Sequence, residues 1–76
     1  MNNDRRSRLQ EVKESLDDVI AQIEELKDEE QEALDNMPES LQQTERGEKM
    51  QTAIDTMDEA ISTIGDVQQA IDEAAQ

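Results

Sequence analysis

Leu9, Val12, Leu16, Val19, Ile23 and Leu26 are separated by three, four, three, four and three residues. That rhythm lines one side of an α-helix, at the a and d positions of a heptad repeat. A second stripe reads Met50, Ile54, Met57, Ile61, Ile64, Gln68, Ile71 and Ala75. The pattern predicts an all-α chain in a single domain, with a first helix over 4–35, an elbow over 36–44 and a second helix over 45–75.

The boundaries follow from local chemistry. Asn2, Asn3 and Asp4 each carry a side-chain oxygen able to cap the first helix, and Asp4 is the expected cap. Arg5, Arg6 and Arg8 come next, although cations at a helix start are opposed by the helix dipole. Pro38 pushes Met37 out of helical geometry and ends the first helix. It also suits the start of a short helical turn through Glu39, Ser40 and Leu41, with Leu41 and Met37 expected to plug the end of the core. Thr44 is the expected cap of the second helix, and Glu45 with Lys49 forms a well-oriented pair four residues apart. Gly47 weakens that helix's first turn slightly. Gly65, in mid-helix, costs about 1 kcal/mol relative to alanine, so a bend or a close contact is expected there.

A connection this short cannot span the length of either helix, so the two fold back into an antiparallel hairpin. In the resulting register Leu34 meets Met50, Ile23 meets Ile61 and Leu16 meets Gln68. Arg5, Arg6 and Arg8 fall beside Asp72 and Glu73, while Arg46 and Lys49 fall beside the acidic end of the first helix. Glu30 and Gln68 occupy a positions; they read as a frayed end near the elbow and a side chain reaching for solvent, rather than as register-setting groups. Met37, Met50 and Met57 read as ordinary core packing rather than an adaptable binding surface.

Both apolar sides are wider than two helices need. Ile20 and Leu34 widen the first, and Ala53, Ala60, Val67 and Ala74 widen the second at seven-residue spacing. A chain of 76 residues folded as one two-helix layer leaves half of each apolar side wet. Without cysteine or histidine, no disulfide or common zinc site compensates. The hairpin is therefore expected to dimerise with a second copy into a four-helix bundle. The expected oligomer core is Leu9, Val12, Leu16, Val19, Ile20, Ile23 and Leu26, with Met50, Ile54, Met57, Ile61, Ile64 and Ile71. A tetramer, or a core completed by another protein, is the alternative.

Composition excludes several function classes. Aromatic residues are absent, which removes base-stacking surfaces, and 21 acids against 7 bases give a net charge of −14. Direct nucleic-acid binding and adhesion to anionic membranes are both opposed. The longest apolar run, Val19-Ile20-Ala21, is far too short for a signal peptide or a membrane span, so the chain reads as cytoplasmic. Ser7, Ser15, Ser40 and Ser62 have no histidine to activate them, Glu-x-x-His cannot occur, and Asp55-Thr56-Met57-Asp58 lacks the glycine of a calcium loop. The reading is non-enzymatic, without cofactor or metal.

What remains is the acid. Eleven carboxylates fall between Glu11 and Asp35, one per about 3.3 Å of helix, close to the 3.4 Å per phosphate of a DNA strand. Glu14–Asp18, Glu24–Asp28, Glu25–Glu29 and Asp28–Glu32 are like-charge pairs four residues apart, each costing about 0.2–0.5 kcal/mol. Only Lys13 and Lys27 offset them within that stretch. Glu11, Asp18, Glu25 and Glu32 form one outward row, with Asp17, Glu24 and Asp28 beside it, and these seven are the candidate contacts for a basic protein.

The elbow and its flanks, Asp28-Glu29-Glu30-Gln31-Glu32-Ala33-Leu34-Asp35-Asn36-Met37-Pro38-Glu39-Ser40-Leu41-Gln42 and Glu45-Arg46-Gly47-Glu48-Lys49-Met50, resemble a group of short acidic helical-hairpin proteins. These are encoded by phages and prophages of Gram-positive bacteria. The similarity continues through the alternating Ala, Ile, Asp and Glu of the second helix. It implies a viral protein working in the bacterial host, where small acidic proteins often inhibit nucleases or defence systems; it brings no site residues with it. The expected function is an acidic interaction protein that inhibits a basic host or defence protein by DNA mimicry. The alternative is a structural or assembly coiled-coil module whose acids serve only solubility.

Overall fold

A computed structural model describes all residues from Met1 to Gln76. Two long helices, α1 (Asn3–Asp35) and α3 (Glu45–Ala74), pack side by side, joined through the single-turn α2 (Glu39–Gln42). The hairpin measures 58 × 15 × 11 Å.

Asn2, not Asp4, caps α1: its Oδ1 accepts from the Arg5 backbone N–H at 2.9 Å. The earlier start lets the Arg6 N–H reach the Asn2 carbonyl at 3.1 Å, and it leaves Asp4 in the first turn, where a negative charge suits the dipole. The arginine cluster also divides differently from the expectation. Arg6 bends across to the far end of α3, its Nε donating to the Ala75 carbonyl at 2.9 Å and its Nη2 to the Gln76 carbonyl at 3.3 Å. A cation thereby satisfies carbonyls that the last turn of α3 leaves open, at the negative end of its dipole. Arg5 and Arg8 stay exposed, and Arg8 approaches only Asp4, at 3.9 Å.

The seam between the helices differs from the a/d stripe on α1. Leu9, Leu16 and Ile23 do face α3, but the other half of the seam is Lys13, Ile20, Lys27 and Leu34. Leu34, at 7% exposure, and Ile54, at 4%, are the deepest apolar residues. Val12, Val19 and Leu26, which the stripe assigned to the same side, remain 50%, 40% and 57% exposed. The column that takes their place in the seam also holds Ile20 and Leu34. Lys13 and Lys27 extend their stems along the seam and reach Asp72 and Asp58 on α3, each at 2.8 Å. α1 is thus turned so that its lysine column, rather than its valine column, meets the neighbour. The register agrees with expectation to within one residue.

Gln68 crosses the seam instead of reaching for solvent. Its Nε2 donates to the Lys13 carbonyl at 3.1 Å and to Asp17 Oδ1 at 2.7 Å, so it is a register-setting group after all.

The elbow is closed by polar groups. Leu41 is 48% exposed and does not plug the core. Gln42 takes that place, donating from Nε2 to the Leu34 carbonyl at 3.1 Å and the Met37 carbonyl at 3.0 Å. Thr44 stands at the start of α3, but its hydroxyl donates back to the Leu41 carbonyl rather than capping the helix. Gly47 is buried against the Gln42 backbone: a Cβ there would collide with the Gln42 carbonyl group. It permits a close approach, whereas a Cβ at Gly65 would meet nothing within 4 Å. Opposite outcomes are therefore expected from one substitution. Gly47→Ala should destabilise the hairpin by about 1–3 kcal/mol, because backbone must move to make room. Gly65→Ala should stabilise it by about 1 kcal/mol. Urea unfolding followed by circular dichroism measures both.

Candidate interaction surfaces

At 3.6 residues per turn, residues seven apart form columns along a helix, and each column has a fixed bearing from the seam. The column Glu11, Asp18, Glu25, Glu32 lies about 180° from the α1 seam and points straight away from α3. All four are exposed. Glu24 and Asp28 are exposed beside Lys27, whereas Asp17 turns to the hairpin edge and accepts from Gln68. None of the eleven carboxylates from Glu11 to Asp35 lies in an ion pair; the carboxylates that do are Asp4, Glu45, Asp58 and Asp72.

The two long edges of the hairpin are chemically unlike. One carries the lysine staples. Asp72 accepts from Lys13 at 2.8 Å and from Gln10 Nε2 at 3.5 Å, and Asp58 accepts from Lys27. The hydrogen bond to Asp72 holds the Lys13 ammonium above its ordinary 10.5, and that to Asp58 does the same for Lys27, each against the desolvation of its stem. The bond from Lys13 in turn holds the Asp72 carboxyl below its ordinary 3.8.

These shifts set a pH window. A lowered carboxyl stabilises the fold above pH 3.8 and loses that share as pH falls through its folded value. The raised lysines contribute fully below pH 10.5 and lose their share as pH rises through their folded values. Asp72→Asn is therefore expected to flatten the acid side of the stability profile below pH 3.8 and to change little at neutrality, because the pair is exposed. Urea midpoints across pH give the profile.

The other edge is apolar. On α1 it carries Val12, Val19, Leu26 and Ala33; on α3 it carries Ala53, Ala60, Val67 and Ala74. Both columns lie about 80–90° round from the seam, on the side opposite the staples. Val67 stands 46% exposed there. The expected oligomer core thus divides in two. Leu9, Leu16, Ile20, Ile23, Met50, Ile54, Met57, Ile61, Ile64 and Ile71 serve the hairpin's own seam, while Val12, Val19 and Leu26 stand open. Arg46, Lys49 and Met50 line a shallow hollow with Glu30 near the elbow, but Lys49 pairs with Glu45 of its own helix at 3.2 Å.

No family model, curated protein or solved structure matches the chain. No helix is long and apolar enough to cross a membrane.

The stripe alone does not show the open edge, because its a column (Leu9, Leu16, Ile23) enters the seam while its d column (Val12, Val19, Leu26) stays outside. The signal was present in Lys13 and Lys27, fourteen residues apart in the column that also holds Ile20 and Leu34.

Proposed function

We propose that this chain is a non-enzymatic, phage-type acidic interaction protein. It pairs with a second copy into a four-helix bundle and uses its outward carboxylates to occupy the basic surface of a host protein. The reading makes it an inhibitor of a nucleic-acid-handling or defence protein in the host cytoplasm, acting as a DNA mimic. One observation carries it: eleven carboxylates stand on α1 with no ion pair among them, although the chain has lysines and arginines to spend there. A rigid helix holds those charges at near-phosphate spacing without the entropy cost that a flexible acidic tail incurs on binding. Like-charge pairs work against helix stability, and a basic groove relieves them.

The test is competition. Immobilised protein is expected to retain a basic protein from bacterial lysate through moderate salt, and duplex DNA is expected to displace it. Retention that DNA does not reduce rejects mimicry.

The open apolar edge favours a second reading. Val12, Val19 and Leu26 would then dock on the helices of a different viral protein, in an assembly role with the acids serving solubility.

A further inference from the structure

We propose that the apolar edge seats a second copy of this chain, with α1 lying antiparallel on α1 of the other copy and the two Val19 side chains meeting at the two-fold axis. The inference rests on the dimer reading above and specifies its face and register.

Charge selects the face. The two apolar columns continue to Arg5 and Arg46 at their ends, and their outer rims are Arg8, Ser15, Gln22 and Glu29 on α1 and Lys49, Thr56, Thr63 and Ala70 on α3. Among 21 acids only Glu29 falls in this region, together with four of the seven bases. Every other surface of the hairpin presents carboxylates. Two copies carrying −14 each can approach closely only where the acid is missing.

Self-complementarity selects the register. Set antiparallel on itself, the row Arg8, Ser15, Gln22, Glu29 places arginine opposite glutamate at both ends and serine opposite glutamine between them. The same alignment puts Val12 opposite Leu26 and Val19 opposite Val19. Across the hairpin, the register fixed by Lys13–Asp72 and Lys27–Asp58 sets Val67 beside Val19. Val67 therefore meets its counterpart at the same axis, and Ala60 meets Ala74. With α1 laid on α3 of the other copy instead, the α3 rim offers Arg8 no carboxylate.

The area suffices. The hairpin exposes 5592 Å², whereas a compact monomer of 8.6 kDa exposes about 4,700 Å². The surplus is close to the ~800 Å² per partner that a standard interface covers, and a 58 × 15 Å face can supply it.

The chain has no cysteine, so single cysteines report the geometry. The experiment compares Val19→Cys with Ala21→Cys, which points away from the edge, using a short thiol-to-thiol crosslinker and light scattering of the unmodified protein. The expected result is a dimeric wild type, with Val19→Cys linked into covalent dimers at least tenfold faster than Ala21→Cys. A dimeric wild type whose Val19→Cys variant links no faster overturns the face and register while the dimer stands. So does a mixture in which Val19→Cys links only to Val67→Cys. A folded wild-type monomer at micromolar concentration overturns the dimer and this inference with it.

Discussion

Replacing Glu11, Asp18, Glu25 and Glu32 together with lysine is expected to abolish capture of the proposed basic partner while making the helix more stable. The row points directly away from α3, so the hairpin seam, the lysine staples and the apolar edge are untouched. Each exposed ion pair contributes about 0.2–1 kcal/mol. Four lost attractions, converted into repulsions, weaken binding by about 3 kcal/mol or more, at least a hundredfold. On the helix itself the effect has the opposite sign. The repulsions Glu14–Asp18, Glu25–Glu29 and Asp28–Glu32 become attractions, a gain of about 1–3 kcal/mol in all at low salt. Misfolding would lower both binding and stability, so the divergence of the two identifies a recognition surface. Binding is measured by the DNA-competition assay and stability by urea unfolding. Unchanged binding would leave the acids as a solubilising coat and favour the assembly reading.

How much of this was legible in the sequence depends on which force decides the feature. The helices, the elbow and the antiparallel register follow from apolar spacing, from Pro38 and from the shortness of the connection, all of them local. The rotation of α1 about its own axis does not. It brings the column Lys13, Ile20, Lys27 and Leu34 into the seam, and a hydrophobic pattern cannot see lysines that pack by their stems and pair by their tips with Asp72 and Asp58. Gln68 escaped for a related reason: a polar residue at a core position reads as a defect until its acceptors, on Lys13 and Asp17 of the other helix, are in place. Gly47 read as a weak helix former because the Gln42 backbone that excludes a Cβ approaches only once the elbow has folded. The outward acidic row was readable from spacing alone, since its bearing depends on the helix period and not on what the seam contains.

Val19→Glu with Leu26→Glu is expected to dissociate the proposed dimer while costing the isolated hairpin almost nothing directly. Both side chains are already 40–57% exposed there, so only a second copy senses their loss. Full burial of such a side chain contributes about 1.5–3 kcal/mol, and roughly half of that is still to be gained on pairing. With two side chains on each of two copies, the deficit is about 3–6 kcal/mol, or about 10²–10⁴-fold in affinity, before the new charges add repulsion. Val19→Ser with Leu26→Ser removes the apolar contact without adding charge and is expected to fall at the lower end. Because Leu34 and Ile54 are the only buried hydrophobic side chains, the separated hairpin has little core of its own. Helicity that rises with protein concentration in the wild type is therefore expected to become lower and concentration-independent in the variants. Salt separates the two surfaces further. Screening strengthens association between two copies of net charge −14 and weakens attachment to a basic partner, so the affinities move in opposite directions as salt rises. Sedimentation across protein and salt concentration measures this, and Glu variants that remain as dimeric and as helical as the wild type would show that the apolar edge faces something other than a copy of itself.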